Sequence, residues 1–212
     1  MASGPCMVFR DTQKSMIENM HIDRKPSTVL TVIDRIYHPI AQNLGVSLLL
    51  RNKINQEIQF PPRFFINLIQ ITGNLVANAI KFTSPNGFVD VVFTLNTDEV
   101  HSTLNVTVTD TGKIISPELV TAINKSKKVA KLMGADAAED NFGTRLEYVI
   151  ELVSEESGRI FVKSEKGLGT IFSLSLPLPN IYMIRRNGFP SILKNGSVLL
   201  NGSQNSNSRT FS

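Results

Sequence analysis

The sequence predicts a two-layer α/β sandwich, a mixed β-sheet covered on one face by three helices. Three observations carry this. The elements run helix, strand, helix, two strands, helix, loop, helix, two strands. Residues 89–95 and 104–108 alternate apolar with polar at the period of a half-buried strand. Residues 67–81 repeat at 3.6 residues per turn, and a hydrophobic content of 42% supports a real core.

Each element has its own signals. Pro26, Ser27 and Thr28 open a helix; Val29, Val32, Ile33, Ile36, Ile40 and Ala41 form its apolar stripe, and Gly45 ends it. Val46–Leu50 reads as a strand. Pro61 and Pro62 open a second helix that runs to about Thr83, and Ser84–Gly87 is a turn. Two alternating strands follow, then a short helix from Pro117. Residues 125–142, rich in Lys, Gly, Ala and Asp, read as a mobile loop. Leu146, Val149, Ile150 and Val153 mark another helix, ended near Gly158. Ile160–Ser164 and Thr170–Leu176 form a closing hairpin. The domain spans 26–179; residues 1–25 are an extension suited to the end of a dimerisation helix. The Asn/Ser/Gly-rich tail 180–212 reads as largely disordered, although Ile192–Leu200 holds apolar residues able to dock.

Composition excludes several classes. The pI is near 9.3. Four of the 22 Lys and Arg residues (Arg185, Arg186, Lys194, Arg209) follow residue 180, where there is no Asp or Glu. The body is left with 18 basic against 18 acidic residues, too balanced for a nucleic-acid footprint. The single cysteine, Cys6, fits a reducing, cytoplasmic compartment, and no apolar run is long enough to span a membrane. None of His21, His38 and His101 has an acidic neighbour, and no zinc spacing or nucleophilic triad is present.

The second helix has an unusual polar face. Asn67, Gln70, Asn74, Asn78 and Lys81 follow at spacings of three, four, four and three, so four neutral amides and a lysine share one stripe. Amide oxygens are hard ligands suited to Mg²⁺, and lysine suits phosphate. The alternative is a partly buried helix whose amides satisfy neighbouring backbone. In the strand ending at 110, Leu104, Val106, Val108 and Asp110 share a face, which puts an acid on the apolar side. A buried carboxylate needs hydrogen bonds, either from backbone amides of the following turn or from the exocyclic amine of a base. Thr170 likewise shares a face with Phe172, Leu174 and Leu176, and an inward hydroxyl needs a partner.

Residues 70–83, Gln-Ile-Thr-Gly-Asn-Leu-Val-Ala-Asn-Ala-Ile-Lys-Phe-Thr, resemble the N box of sensor histidine kinases (Q-I-x-x-N-L-x-x-N-A-x-K-F-T), a branch of the GHKL ATPases with the Bergerat ATP-binding fold. Asp110 to Glu118 is similar to their G1 box, D-x-G-x-G-I-x-P-E, and Gly167 to Pro177 to their closing G-x-G-T-x-F-x-L-x-L-P. The resemblance covers roughly residues 26–177. It implies that Asn78 holds Mg²⁺, that Asn74 and Lys81 lie near the ATP phosphates, and that Asp110 and Thr170 bind adenine, with Gly112 in the G1 turn. The G2 box aligns with Asn141–Leu146, which adds Gly143, Thr144, Arg145 and Leu146 to the ATP site.

The pattern is also broken. Ile114 replaces the second G1 glycine and is expected to crowd that turn. In G2 only the middle glycine, Gly143, survives, between Asn141 and Arg145, and the aromatic F box is absent. Arg145 either contacts phosphate or fills its place while pairing with Asp136, Glu139, Asp140 or Glu147. The resemblance therefore implies the ATP- and Mg²⁺-binding catalytic domain of a two-component sensor kinase. Such a domain phosphorylates a histidine on a separate dimerisation domain, itself carries no phosphoacceptor histidine, and acts indirectly on a response regulator; the parent protein is membrane-anchored in some cases. Weak or undetectable ATP binding is expected. The alternative is a degenerate module that signals by conformation or protein contacts. A GHKL ATP-gated clamp fits less well, because Asn74 stands where those hydrolases place a glutamate base.

Overall fold

The computed structural model describes residues 23–97, 101–125, 142–178 and 182–183. His21 and most of the N-terminal extension, the bulk of the expected loop with Asp136, Glu139, Asp140 and Asn141, and the tail beyond 183 lie outside these residues.

The elements are α1 (Pro26–Asn43), β1 (Ser47–Asn52), β2 (Ile58–Gln59), α2 (Pro62–Phe82), β3 (Phe88–Thr97), β4 (Ser102–Asp110), α3 (Pro117–Asn124), α4 (Phe142–Glu155), β5 (Arg159–Glu165), β6 (Gly169–Pro177) and β7 (Tyr182–Met183). Proline stands at the first position of α1, α2 and α3, where its missing N–H costs no intrahelical bond. The main sheet has the order β1-β3-β4-β6-β5; β1 runs parallel to β3 and the other pairs are antiparallel. This is the mixed two-layer arrangement read from the sequence.

The core lies between the helices and one sheet face. The inward residues of β4 (Leu104, Val106, Val108) and β3 (Val89, Val91, Phe93) are fully buried, as are Phe64, Phe65, Leu68, Ile71 and Leu75 of α2. Each such side chain contributes about 1.5–3 kcal/mol by leaving water. Two elements differ from expectation. Within the segment that the sequence reads as largely disordered, Tyr182–Met183 pairs antiparallel with Ile58–Gln59, a strand pair the sequence does not announce. Strands of two residues have no alternation to read. α4 begins at Phe142, so Gly143, Thr144 and Arg145 form a helical first turn.

Candidate functional site

The polar stripe of α2 divides at its middle. Asn67 Nδ2 donates to Glu156 Oε1 (2.6 Å), beyond the end of α4, and Arg63 pairs with Glu155 (3.0 Å). Tyr148 of α4 donates its hydroxyl to Gln70 Oε1 (2.6 Å). Asn74 Nδ2 turns back onto the Gln70 carbonyl (2.7 Å). Asn78 is different: it is 4% exposed, and neither amide atom has a hydrogen-bond partner among the described residues. A buried unsatisfied amide costs roughly 1–3 kcal/mol. Lys81 is exposed, with Nζ 5.5 Å from the centre of the Phe82 ring.

The loop after β4 docks on this end of the helix. Lys113 N–H donates to the Phe82 carbonyl (3.0 Å), one turn beyond Asn78. Gly112 permits this approach, since a Cβ there would lie 2.6 Å from the Phe82 oxygen. Asp110 is 5% exposed and accepts the Gly112 amide at Oδ1 (2.8 Å). Burial raises its carboxyl from 3.8 to about 6, against the amides of Gly112 and Thr170, which pull it down. Across the ladder Asp110 faces Thr170, and Gly169 (φ +92°) lies so close that a Cβ would stand 1.9 Å from the Asp110 carbonyl. Thr170 is 2% exposed. Asp110, Gly112 and Thr170 thus gather where the ends of β4 and β6 meet the C-terminal end of α2, one turn beyond Asn78.

The remaining residues lie around this centre. Arg145 is exposed in the first turn of α4 and near enough to Tyr37 of α1 for its charge to oppose the upward push of burial on that phenol. Tyr37 packs on Gly73 of α2, where a Cβ would be 3.1 Å from the hydroxyl. Leu146 is fully buried in the core, and Gly143 and Thr144 precede it in the helix. Ile114 does not crowd the G1 turn as expected; its side chain is 51% exposed. His38 lies 3.2 Å from Asp34 one turn back, a helix-surface contact, and His101 is exposed before β4.

Two features went unread in the sequence. Ser164 Oγ lies 2.9 Å from Thr170 Oγ1 and receives the Ile115 amide (3.0 Å). The signal was available, because Ile160, Val162 and Ser164 share a strand face. The contact of Tyr37 with Gly73 had no signal, because two helices far apart in sequence create it.

The donor set fits a magnesium nucleotide. Asn78 offers a buried amide oxygen with no other partner among the described residues, and Asp110 a buried acceptor. Residues 65–180 match the family described as histidine kinase-, DNA gyrase B-, and HSP90-like ATPase. The autoinducer 2 sensor kinase/phosphatase LuxQ of Vibrio vulnificus is 34% identical over 151 residues, which are 70% of this chain and 17% of that protein. The adaptive-response sensory kinase SasA of Synechococcus elongatus is 29% identical over 52% of this chain and 27% of its own length. The chain therefore spans only a minor part of these relatives. The catalytic domain of the histidine kinase ThkA superposes with a TM-score of 0.53 at 16% identity, over 73% of this chain and 94% of that one. Full-length ShkA superposes at 0.56 with 21% identity, over 82% of this chain and 35% of that one. The fold is that of histidine-kinase catalytic domains, and the chain belongs to the histidine kinase-, DNA gyrase B-, and HSP90-like ATPase family.

Proposed function

We propose that this chain is the ATP-binding catalytic domain of a sensor histidine kinase. It binds Mg–ATP at the α2–β4–β6 junction and presents the terminal phosphoryl group to a histidine on a separate dimerisation domain of its parent protein. A response regulator receives the group afterwards, and the domain works in the cytoplasm. Magnesium supplies charge neutralisation along the phosphates when bound. Asn78 holds it through the side-chain oxygen, Asn74 and Lys81 flank the phosphates, and Gly143, Thr144 and Arg145 border them from the start of α4. Asp110 accepts the adenine amine beside Thr170, and Gly112 keeps the G1 loop against α2. Leu146 supports this wall from the core.

The observation that carries the reading is Asn78. A helix that satisfies Asn67, Gln70 and Asn74 leaves one buried amide with neither donor nor acceptor used among the described residues, one turn before the point where the loop after Asp110 docks. Calorimetric titration with Mg–ADP tests it. Binding that Asn78→Ala abolishes supports the reading; absence of binding at millimolar nucleotide overturns it. A second reading, a domain that signals by contacts with little nucleotide affinity, draws on Arg145 and Asn141 in place of glycines. Titratable binding in the micromolar range would reject it.

A further inference from the structure

We infer that Ser164 sets the direction of the Thr170 hydroxyl proton and thereby adds to the selection, begun by Asp110, of a 6-amino over a 6-oxo purine at the base site. This rests on the nucleotide-binding reading above. Ser164 of β5 faces Thr170 of β6 across the ladder. Its oxygen receives the Ile115 amide (3.0 Å), lies 2.9 Å from Thr170 Oγ1 and 3.4 Å from the Gly169 carbonyl.

A serine hydroxyl has one proton to give and two lone pairs. Ile115 occupies one lone pair. The proton then goes to the better acceptor. At 2.9 Å, Thr170 Oγ1 falls in the ordinary O–H···O range, and at 3.4 Å the Gly169 carbonyl falls outside it. The chain of donors therefore runs from Ile115 N–H to Ser164 O–H to Thr170. Thr170 accepts, so its own proton must point elsewhere, and no second acceptor for it is found among the described residues. It becomes a donor beside the Asp110 acceptor.

An acceptor next to a donor complements an exocyclic amine next to an unprotonated ring nitrogen. A 6-oxo purine presents the opposite order on its N1 side, a carbonyl beside an N–H. If the relay ran the other way, with Thr170 donating to Ser164, Thr170 would show only lone pairs, and the distinction would weaken. Ser164 touches no ligand in this scheme. It is a positioning residue that acts through Thr170.

The test measures affinities of the full chain for the magnesium complexes of ADP, IDP, 1-deaza-ADP and 7-deaza-ADP. The deaza analogues each remove one ring acceptor beside the amine. In the parent, IDP and one deaza analogue should bind about 10-fold more weakly than ADP. Ser164→Ala should shrink the deaza gap to about 2-fold or less and narrow the IDP gap towards the part that Asp110 alone sustains, and Ser164→Thr, which keeps the hydroxyl, should restore both. Thr170→Val should close the deaza gap regardless of residue 164 and leave of the IDP gap only the part that Asp110 sustains through the amine, and serves if Ser164→Ala does not fold. A Ser164→Ala protein that binds all four nucleotides more weakly in unchanged proportion would overturn the relay, leaving Ser164 a structural tie. A parent that binds ADP without distinguishing the analogues would overturn it as well. A parent that binds none of them refutes the nucleotide reading itself, and this inference with it.

Discussion

The two halves of α2 use the same residue types to opposite ends. In the first half, Asn67 and Gln70 each find a side chain on or just beyond α4, and Arg63 pairs with Glu155. In the second half, Asn78 is as buried as Asn67 but has no partner among the described residues, and one turn on, at Phe82, the loop that follows the buried carboxylate of Asp110 docks on the helix. One end of the helix is a satisfied clamp. The other holds an amide, Asn78, whose desolvation is not offset within the described residues. That contrast predicts opposite signs: changes at the satisfied end should cost stability and spare binding, and changes at the unsatisfied end should spare or raise stability and cost binding.

The largest effect belongs to Asp110. Its folded-state value, about 6, lies above the ordinary 3.8, so the folded protein holds this proton more tightly than the unfolded chain. The contribution to stability is fully present below pH ~4, declines as pH rises towards ~6 and is gone above it, a change of up to about 3 kcal/mol. Binding should run the other way, because a base amine needs the ionised acceptor. Asp110→Asn should flatten thermal stability between pH 4 and 6, raise the melting temperature at pH 7.5, and weaken Mg–ADP binding. A melting temperature at pH 7.5 that falls on substitution would break the contrast at its strongest point.

Next is Asn78→Ala. Removing a buried amide without partners should leave the melting temperature of the ligand-free protein unchanged or raise it by the equivalent of about 1 kcal/mol. Mg–ADP affinity should drop roughly 10-fold or more, the value of a hydrogen bond or ligand contact to a charged group. Denaturant melts with and without nucleotide separate the two. A ligand-free variant less stable by 2 kcal/mol or more would mean that Asn78 has a structural partner.

Asn67→Ala is the mirror experiment. The bond to Glu156 is charge-assisted and half-buried, so its loss should destabilise by about 1–2 kcal/mol and leave nucleotide affinity within about 2-fold. Loss of affinity without loss of stability would show that the stripe is one functional surface after all.

The sequence could not draw this dividing line, and the reasons are physical. Helix starts at Pro26, Pro62 and Pro117 are local chemistry, as are the strand alternations that put Asp110 and Thr170 on the inner face, and these matched the fold. The spacing of the five polar residues on α2 was equally visible. What faces each of them was not, because Tyr148, Glu155 and Glu156 lie some 80 to 90 residues away and are brought there by tertiary packing. β2 and β7 were hidden because two-residue strands have no period, and the helical first turn of α4 because its sequence was aligned with a glycine loop. Ser164 was legible by the same inward-hydroxyl argument that identified Thr170.

Arg145 offers the smallest expected effect and the finest test of the contrast. It stands in the first turn of α4, where a positive charge opposes the helix dipole at a cost of about 0.3–1 kcal/mol. Its side chain is exposed and within electrostatic reach of Tyr37, whose hydroxyl packs on Gly73, the residue before Asn74. The guanidinium is thus within electrostatic reach of a residue that packs at the middle of α2. If its bulk obstructs the phosphates, Arg145→Gly should raise Mg–ADP affinity by a few-fold and enlarge the thermal shift that Mg–ADP produces. If it contacts phosphate, the same change should lower affinity and shrink the shift. We expect the first outcome, since Arg145 replaces a family glycine and the phenol of Tyr37 offers its charge a site on the clamp side. Tyr37→Phe sharpens the choice. It removes the hydroxyl without changing ring packing, and in the obstructing case it should leave the gain from Arg145→Gly intact. A smaller thermal shift in the glycine variant than in the parent would place Arg145 with Asn78 and Asp110, at the binding end of the helix.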